Sequence, residues 1–292
     1  MPHTLHNAQL SLTLDLPREG YQQPRFDWTG KIAHLSFQGL PITTSEQPSG
    51  PDPRFGQGFY NEFGLDTPIG YDAVAPGDWF PKIGIGALQR DQEAYRFYQP
   101  YPIRPADFQV ESAADRLSLR AVAAPVNGYA YRLQKQISLL ESGFRIAYQL
   151  ENTGTRPLRT QEYTHNFIAP GGDPAGPAYR LRLPFDLQPG AYGEALNPHE
   201  VVTFGAREIS FKHTPETPFF FSLLGGEAPV QAAWSLENVR QGIGIREAGD
   251  FDAAKVNLWG VGHVISPELF CEINLAPGER QTWSRTYTLY RL

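Results

Sequence analysis

Apolar and polar residues alternate with a period of two along most of this chain. The segments "AQLSLTLDL" (residues 8–16), "KIAHLSFQG" (31–39), "RLSLRAVAAP" (116–125), "YAYRLQKQISLL" (129–140) and "FRIAYQLEN" (144–152) each put every second side chain in an apolar row. Successive side chains of a strand point to opposite faces, so this pattern predicts half-buried antiparallel strands. Turn-forming clusters separate them: "ESG" at 141–143, "NTGTRP" at 152–157 and "LAPGE" at 275–279. Further short strands are expected in "YRLRLPFDL", "VVTFGAREISF", "PFFFSLLG" and "QTWSRTYTLYRL". No stretch beyond about ten residues carries a helical period. Strands so evenly spaced along 292 residues predict one large all-β sandwich or barrel. Residues 43–105 depart from the pattern, being rich in Gly, Pro and aromatic residues with little alternation. A loop region of that length in a compact domain implies a function, and its aromatic content predicts ordered loops lining a site.

Composition narrows the function classes. The 28 glycines and 26 prolines suit many turns, and 41% hydrophobic residues suffice for a large core. A formal charge of −6 leaves no basic field to gather nucleic acid or an anionic membrane, so neither partner is expected. The single cysteine, Cys271, excludes an intrachain disulfide framework and a cysteine-based zinc cluster, and suits a reducing compartment. The first twenty residues have no basic n-region, apolar h-region or small-residue cleavage site, and no apolar run nears the ~20 residues that cross a bilayer. A soluble, cytoplasmic protein is expected. No histidine pair has metal-ligand spacing, "GPDPRFG" is not a calcium loop, and there is no Walker loop. The "GIGAL" segment lacks a full dinucleotide fingerprint, so no metal and no cofactor are expected. No feature specifies an oligomer.

One stretch raises a chemical question. "TQEYTHNFIA" (160–169) comes after the "NTGTRP" turn and sets a lone histidine, His165, at the end of a buried β segment. It is either a hydrogen-bonded core histidine or a general acid. The surrounding block, residues 129–169, resembles the centre of the aldose 1-epimerase (galactose mutarotase) superfamily. There, paired strands lead into an "NTG/NTS…P" turn and a strand then delivers a catalytic histidine in an "NH-x-YF" context. Counted from Asn152, His165 falls at that histidine, and Asn166–Phe167 approximates the aromatic segment after it. The early "RFDWTGKIAHLSFQG" resembles the family's opening hairpin. The closing "SPELFCEINLAPGERQTWSRTYTLYRL" resembles its last strands, with an acidic residue ahead of an "L-x-PGE" turn. The likeness is strongest over 129–169, moderate over 264–292 and loose elsewhere.

The resemblance implies a single galactose mutarotase-like domain over residues 1–292, a large antiparallel β-sandwich, with a sugar or sugar derivative as partner. It implies an isomerase that opens a cyclic sugar and recloses it as the other anomer. A base takes the C1 hydroxyl proton while an acid protonates the ring oxygen, from opposite sides of C1. A histidine near its ordinary pKa of ~6.5 and an ionised carboxylate meet that need. Neighbouring carboxylates would help keep that histidine protonated. On this reading His165 is the acid. The base is Glu268 or Glu272, which share one face in strict alternation. Glu268 in "HVISPE" fits the family spacing better, and Pro267 predicts a strand break there. Lys82 in "WFPKIGIGAL" is expected to reach a sugar hydroxyl or an anionic group, or else to snorkel at the surface. Trp259 and His263 precede Glu268, and a tryptophan face can stack on a pyranose. The aromatics Phe59, Tyr60, Phe63, Tyr71 and Trp79 are expected to divide between lining the cleft and packing beneath it, and His213 to be structural.

The chain also departs from the family. Where typical mutarotases carry a further histidine in an "LHG"-like segment, this sequence reads "GQGFYNEFG", with Asn61 and Glu62. The later acidic substrate ligand has only Asp250 or Asp252 as stand-ins. Arg54 and Arg25 are candidates to hold a substrate phosphate, as arginines do in relatives acting on hexose 6-phosphates, or to pair with an aspartate. The alternative to an epimerase is a carbohydrate-binding or sugar-sensing protein on the same fold, and the missing histidine favours it.

Overall fold

The structure, a computed structural model, describes residues 3–292. The alternating segments become strands and pair in antiparallel ladders. The first ten-stranded sheet runs in the order His3–His6, Leu10–Asp15, Lys31–Phe37, Phe59–Phe63, Leu158–Asn166, Val264–Leu275, Lys255–Val261, Phe219–Phe221 and Ala195–Leu196, with Leu40–Pro41 pairing beside the third of these. The second, also of ten strands, runs Val202–Phe204, Glu208–Phe211, Tyr179–Arg182, Val230–Asn238, Ile243–Ala253, Arg280–Arg291, Gly143–Asn152, Tyr131–Leu140, Arg116–Val122 and Asp107–Ser112. A sandwich, not a barrel, results. Among the described residues the helical segments are three short 3-10 turns, and no helix is long and apolar enough to cross a membrane.

Every second residue of the facing strands enters the space between the sheets. Leu12, Leu35, Ile137, Ile146, Leu236, Ile245 and Leu289 are all buried there in one continuous apolar cluster. Each such side chain contributes roughly 1.5–3 kcal/mol relative to exposure. The interior also holds charge. Arg285 lies fully buried between Glu162 and Glu247, with 2.7 Å contacts to each. Trp283 and Trp234 donate their indole N–H groups to the same two carboxylates. Buried ions are tolerated when paired and hydrogen-bonded, and this network ties the two sheets together.

Residues 43–105 are ordered, as expected, but they are not only loops. Phe59–Phe63 is a full strand inside the first sheet, with all five residues buried. Its lack of alternation comes from being covered on both faces, which removes the solvent side that a polar residue would mark. Gly58 leads into it at φ +59°, where a Cβ would lie 2.1 Å from the Ile32 carbonyl oxygen, so only glycine fits. The later part of the region forms a three-stranded sheet, Trp79–Lys82, Gly86–Gln89 and Ile103–Pro105. With residues 21–28 it supplies a second apolar cluster, including Phe26, Trp28, Tyr71, Phe80 and Tyr101, which packs on the outer face of the first sheet against Tyr60, Phe167 and Val264. The candidate site lies on that outer face.

Candidate active site

The strand Leu158–Asn166 sorts its side chains by parity. Glu162, Thr164 and Asn166 point into the sandwich, and Tyr163 and His165 point out. His165 stands opposite Tyr60 of the strand Phe59–Phe63. On the other side, the ladder to Val264–Leu275 runs from Leu158–Leu275 to Glu162–Cys271 and ends there. Continued, that register would bring Asn166 against Pro267, which has no N–H to give. Side chains take over: the Asn166 N–H donates to Ser266 Oγ (3.0 Å), and Asn166 Nδ2 donates to the Pro267 carbonyl (2.5 Å). The strand break expected at Glu268 is absent. Val264–Leu275 stays paired on its far side through Leu258–Pro267 and Asn257–Glu268, because the missing proline N–H falls on the side where the ladder has already yielded.

This local geometry brings His165 and Glu268 together. Nε2 of His165 lies 3.4 Å from Glu268 Oε1, and its Nδ1 lies 2.8 Å from Ser266 Oγ. Ser266 in turn donates to Glu268 Oε1 at 3.3 Å. The imidazole is stacked on Phe167 at 4.1 Å between ring centres, and Trp259 meets it edge-on at 5.2 Å. His165 and Glu268 are 5% and 3% exposed. Burial at that depth reverses the protonation pattern expected from sequence. Desolvation and, secondarily, the nearby Arg25 charge push His165 well below the ordinary histidine value, so its neutral form is favoured. Desolvation raises Glu268 to about 8, against the lowering effects of Arg25 and of the Ser266 hydrogen bond. Burial therefore favours the neutral imidazole and the protonated carboxyl over the charged pair.

Beside the pair lies a charged cluster. Glu62, fully buried on the outward face, receives Arg25 Nε at 2.9 Å and the Tyr163 hydroxyl at 2.7 Å. Its other oxygen, Oε1, has no hydrogen-bond partner, and Lys82 Nζ stands 3.9 Å away. Lys82 donates to the Tyr95 hydroxyl (3.1 Å), and burial lowers it to about 8 despite the opposing pull of Glu62. Arg25 also reaches Glu46 (3.5 Å), and its guanidinium lies 4.4 Å from the ring centres of both Phe26 and Phe97. A cavity of about 280 Å³ adjoins it, walled by Tyr21, Phe26, Glu46, Phe97 and Tyr98. A larger cavity of about 480 Å³ lies on the second sheet, lined by Gln134, Arg145 and Asp250, and holds none of these groups.

Of the residues singled out in the sequence, His165, Glu268, Trp259, Glu62 and Lys82 share this face. Others do not. Asn61 points the opposite way from Glu62, into the sandwich, where Glu162, Thr164 and Lys135 use its polar atoms. Glu272 lies four residues along the strand from Glu268, exposed and bound to Gln161. His263 Nε2 lies 3.0 and 3.2 Å from the carbonyls of Ser45 and Glu46, so it holds the loop that carries Glu46. Arg54 is an exposed surface residue paired with Asp52 at 2.6 Å, although it also borders the cavity beside Arg25. Asp250 and Asp252 belong to the second sheet, and Asp250 is taken up by Ser284. Phe59 and Phe63 pack in the core, Tyr60 and Tyr71 in the overlying aromatic layer, and Trp79 under Arg104. His213 is exposed. Ser266 and Tyr163 join the site without any motif to nominate them. Each lies two residues from a nominated group, and that same-face spacing is the signal that marks them. Among the described residues, no three His, Cys, Asp or Glu side chains converge as a metal site.

No protein-family model and no curated protein sequence matches the chain. Solved structures do match it in shape. A protein from Synechocystis superposes with a TM-score of 0.63 at 14% identity, over 100% of this chain and 96% of the other. A galactose mutarotase-like protein from Clostridium acetobutylicum gives 0.58 at 12% identity, over 99% and 95%. An aldose epimerase homologue from C. elegans gives 0.55 at 12% identity, over 100% and 99%. At these identities the likeness is one of fold, and the chain has the galactose mutarotase-like fold.

Proposed function

We propose that this protein interconverts the anomers of an aldose or aldose derivative, with His165 and Glu268 as its acid–base pair. The observation that carries the reading is their convergence. Two strands distant in sequence bring an imidazole and a carboxyl to 3.4 Å on the face that the overlying loops enclose. The two substrate oxygens that exchange protons, the C1 hydroxyl and the ring oxygen, are geminal on one carbon. An adjacent acid and base serve them better than groups on opposite sides of C1. Opposite protonation tendencies in such a pair are what concerted proton transfer needs. Trp259 offers a ring edge beside the imidazole, and the unpartnered Glu62 Oε1 with Lys82 Nζ offers an acceptor and donors for sugar hydroxyls. The fold supports the reading, since the C. elegans neighbour is described as an aldose epimerase homologue.

The test is anomer exchange measured by saturation-transfer NMR on neutral sugars, uronates and hexose 6-phosphates. Faster exchange for at least one sugar supports the proposal and names the substrate class. Saturable sugar binding without faster exchange moves the assignment to a sugar-sensing protein.

A further inference from the structure

The cavity of about 280 Å³ beside Arg25 adjoins the reaction centre but differs from it in chemistry. Arg25 and Phe26 form the wall that the two share. Arg25 Nη2 donates to the Tyr163 hydroxyl at 3.3 Å and Nε holds Glu62, while the Phe26 ring meets the His165 imidazole edge-on at 6.2 Å. Another wall is aromatic, made by Phe97 and Tyr98. Tyr98 is 65% exposed, more than any other large hydrophobic side chain among the described residues. Single exposed apolar residues are ordinary on a protein surface. This ring, however, borders a cavity and is held in place. Phe97 meets it edge-on at 5.2 Å and is itself backed by the Arg25 guanidinium at 4.4 Å. The segment that carries both rings has no strand pairing, yet side chains pin it. The Tyr71 hydroxyl donates to Asp91 Oδ1 at 2.8 Å, the Gln99 amide to Asp91 Oδ2 at 3.0 Å, and the Arg96 N–H to the Tyr101 hydroxyl at 2.9 Å.

The charges around this cavity are already matched. Arg25 is bound to Glu62 and Glu46, and Arg54 to Asp52. Neither arginine that lines it is left over for a phosphate or a carboxylate. What remains to bind a ligand is a pair of aromatic rings with Gln23 and Gln99 beside them. Rings edged by polar groups suit a pyranose, which has an apolar face and a rim of hydroxyls. The volume lies at the small end for ligand pockets and fits one sugar ring rather than a chain. We propose that this cavity is a second sugar subsite, and that the substrate is the reducing end of a neutral di- or oligosaccharide. The reducing residue meets His165 and Glu268, and the next residue stacks on Tyr98 and Phe97. The proposal rests on the epimerase reading for the first of these residues. Only the end residue has a free anomeric hydroxyl, so its ring opens and recloses while the glycosidic bond stays intact. Binding of the second residue supplies energy away from the reacting atoms. That energy helps to seat the first against a pair that is only 5% and 3% exposed.

The test is calorimetric titration of the full-length protein with glucose, galactose, their 1,4- and 1,6-linked disaccharides and glucose 6-phosphate. At least one disaccharide should bind about tenfold more tightly than the monosaccharide at its reducing end. Tyr98→Ala should lower that preference by about 3- to 10-fold, and Tyr98→Phe, which keeps the ring, should retain it. Saturation transferred from aromatic protons should mark the non-reducing ring of the disaccharide in wild type and fade from it in Tyr98→Ala. The proposal is overturned if every disaccharide binds no more tightly than its monosaccharide, or if Tyr98→Ala weakens both equally. It is also overturned if glucose 6-phosphate binds more tightly than any disaccharide. Disaccharide preference without anomer exchange keeps the subsite and counts against the epimerase reading alone. Exchange on monosaccharides without that preference counts against the subsite alone, and no binding of any sugar overturns both.

Discussion

Replacing Glu268 by glutamine should make the protein more stable at neutral pH. An exposed glutamate ionises near 4.5, whereas burial keeps Glu268 protonated up to about 8. Between these values the unfolded chain releases a proton that the folded protein retains, so the native state loses stability as pH rises from 4.5 toward 8. At pH 7 the loss is about 3 kcal/mol, taking ~1.4 kcal/mol for each pH unit above 4.5. Glutamine has the shape of the protonated carboxyl, keeps an oxygen for the Ser266 hydrogen bond and cannot ionise. Urea unfolding of wild type and Glu268→Gln at pH 4.5, 6, 7 and 8 should show nearly equal stability at the lowest pH. The variant should gain about 1–3 kcal/mol by pH 7, with an unchanged m-value. The same variant should lose anomer exchange, trading activity for stability. A gap that does not depend on pH, or a variant weaker than wild type at pH 7, would show that burial does not hold the folded carboxyl protonated.

His165 should act in the opposite pH range: burial holds its folded pKa below the unfolded value, so stability falls as pH drops below ~6.5, and His165→Gln should flatten that acid limb in the same unfolding series. Arg285→Ala should destabilise by about 3–5 kcal/mol in denaturant unfolding, because it strands Glu162 and Glu247 as buried carboxylates without their shared guanidinium. Trp259→Ala should weaken sugar binding by roughly tenfold in titration calorimetry with little effect on the unfolding midpoint, since the ring is half-buried beside the imidazole.

The fold is largely legible in the sequence because most strands here have one covered and one open face. Segments such as Tyr131–Leu140 and Gly143–Asn152 alternate cleanly and pair with each other over ten residues, from Tyr131–Asn152 to Leu140–Gly143. Phe59–Phe63 is hidden because both its faces are covered, so its sequence has no period to read. The site is legible where a residue's own strand decides its direction. His165 and Glu268 can be nominated, and parity alone separates Glu62 from Asn61 once the strand is known. Sequence spacing does not carry environment. The fate of Glu272, exposed on the same face as Glu268, depends on which part of the sheet the Gly-, Pro- and aromatic-rich region covers. The protonation pattern of the pair depends on that same cover, through desolvation. Pro267 misleads because a strand ending and a ladder switching from backbone to side-chain bonds look alike in sequence.

The joint proton exchange proposed for His165 and Glu268 with a sugar has a direct readout. It is tested most directly by saturation-transfer NMR of anomer exchange, comparing wild type with His165→Asn and Glu268→Gln. Wild type should accelerate exchange on at least one sugar, and each variant should lose about 100-fold or more with the fold retained. Exchange at the wild-type rate in either variant, or no acceleration on any sugar tested, would contradict it.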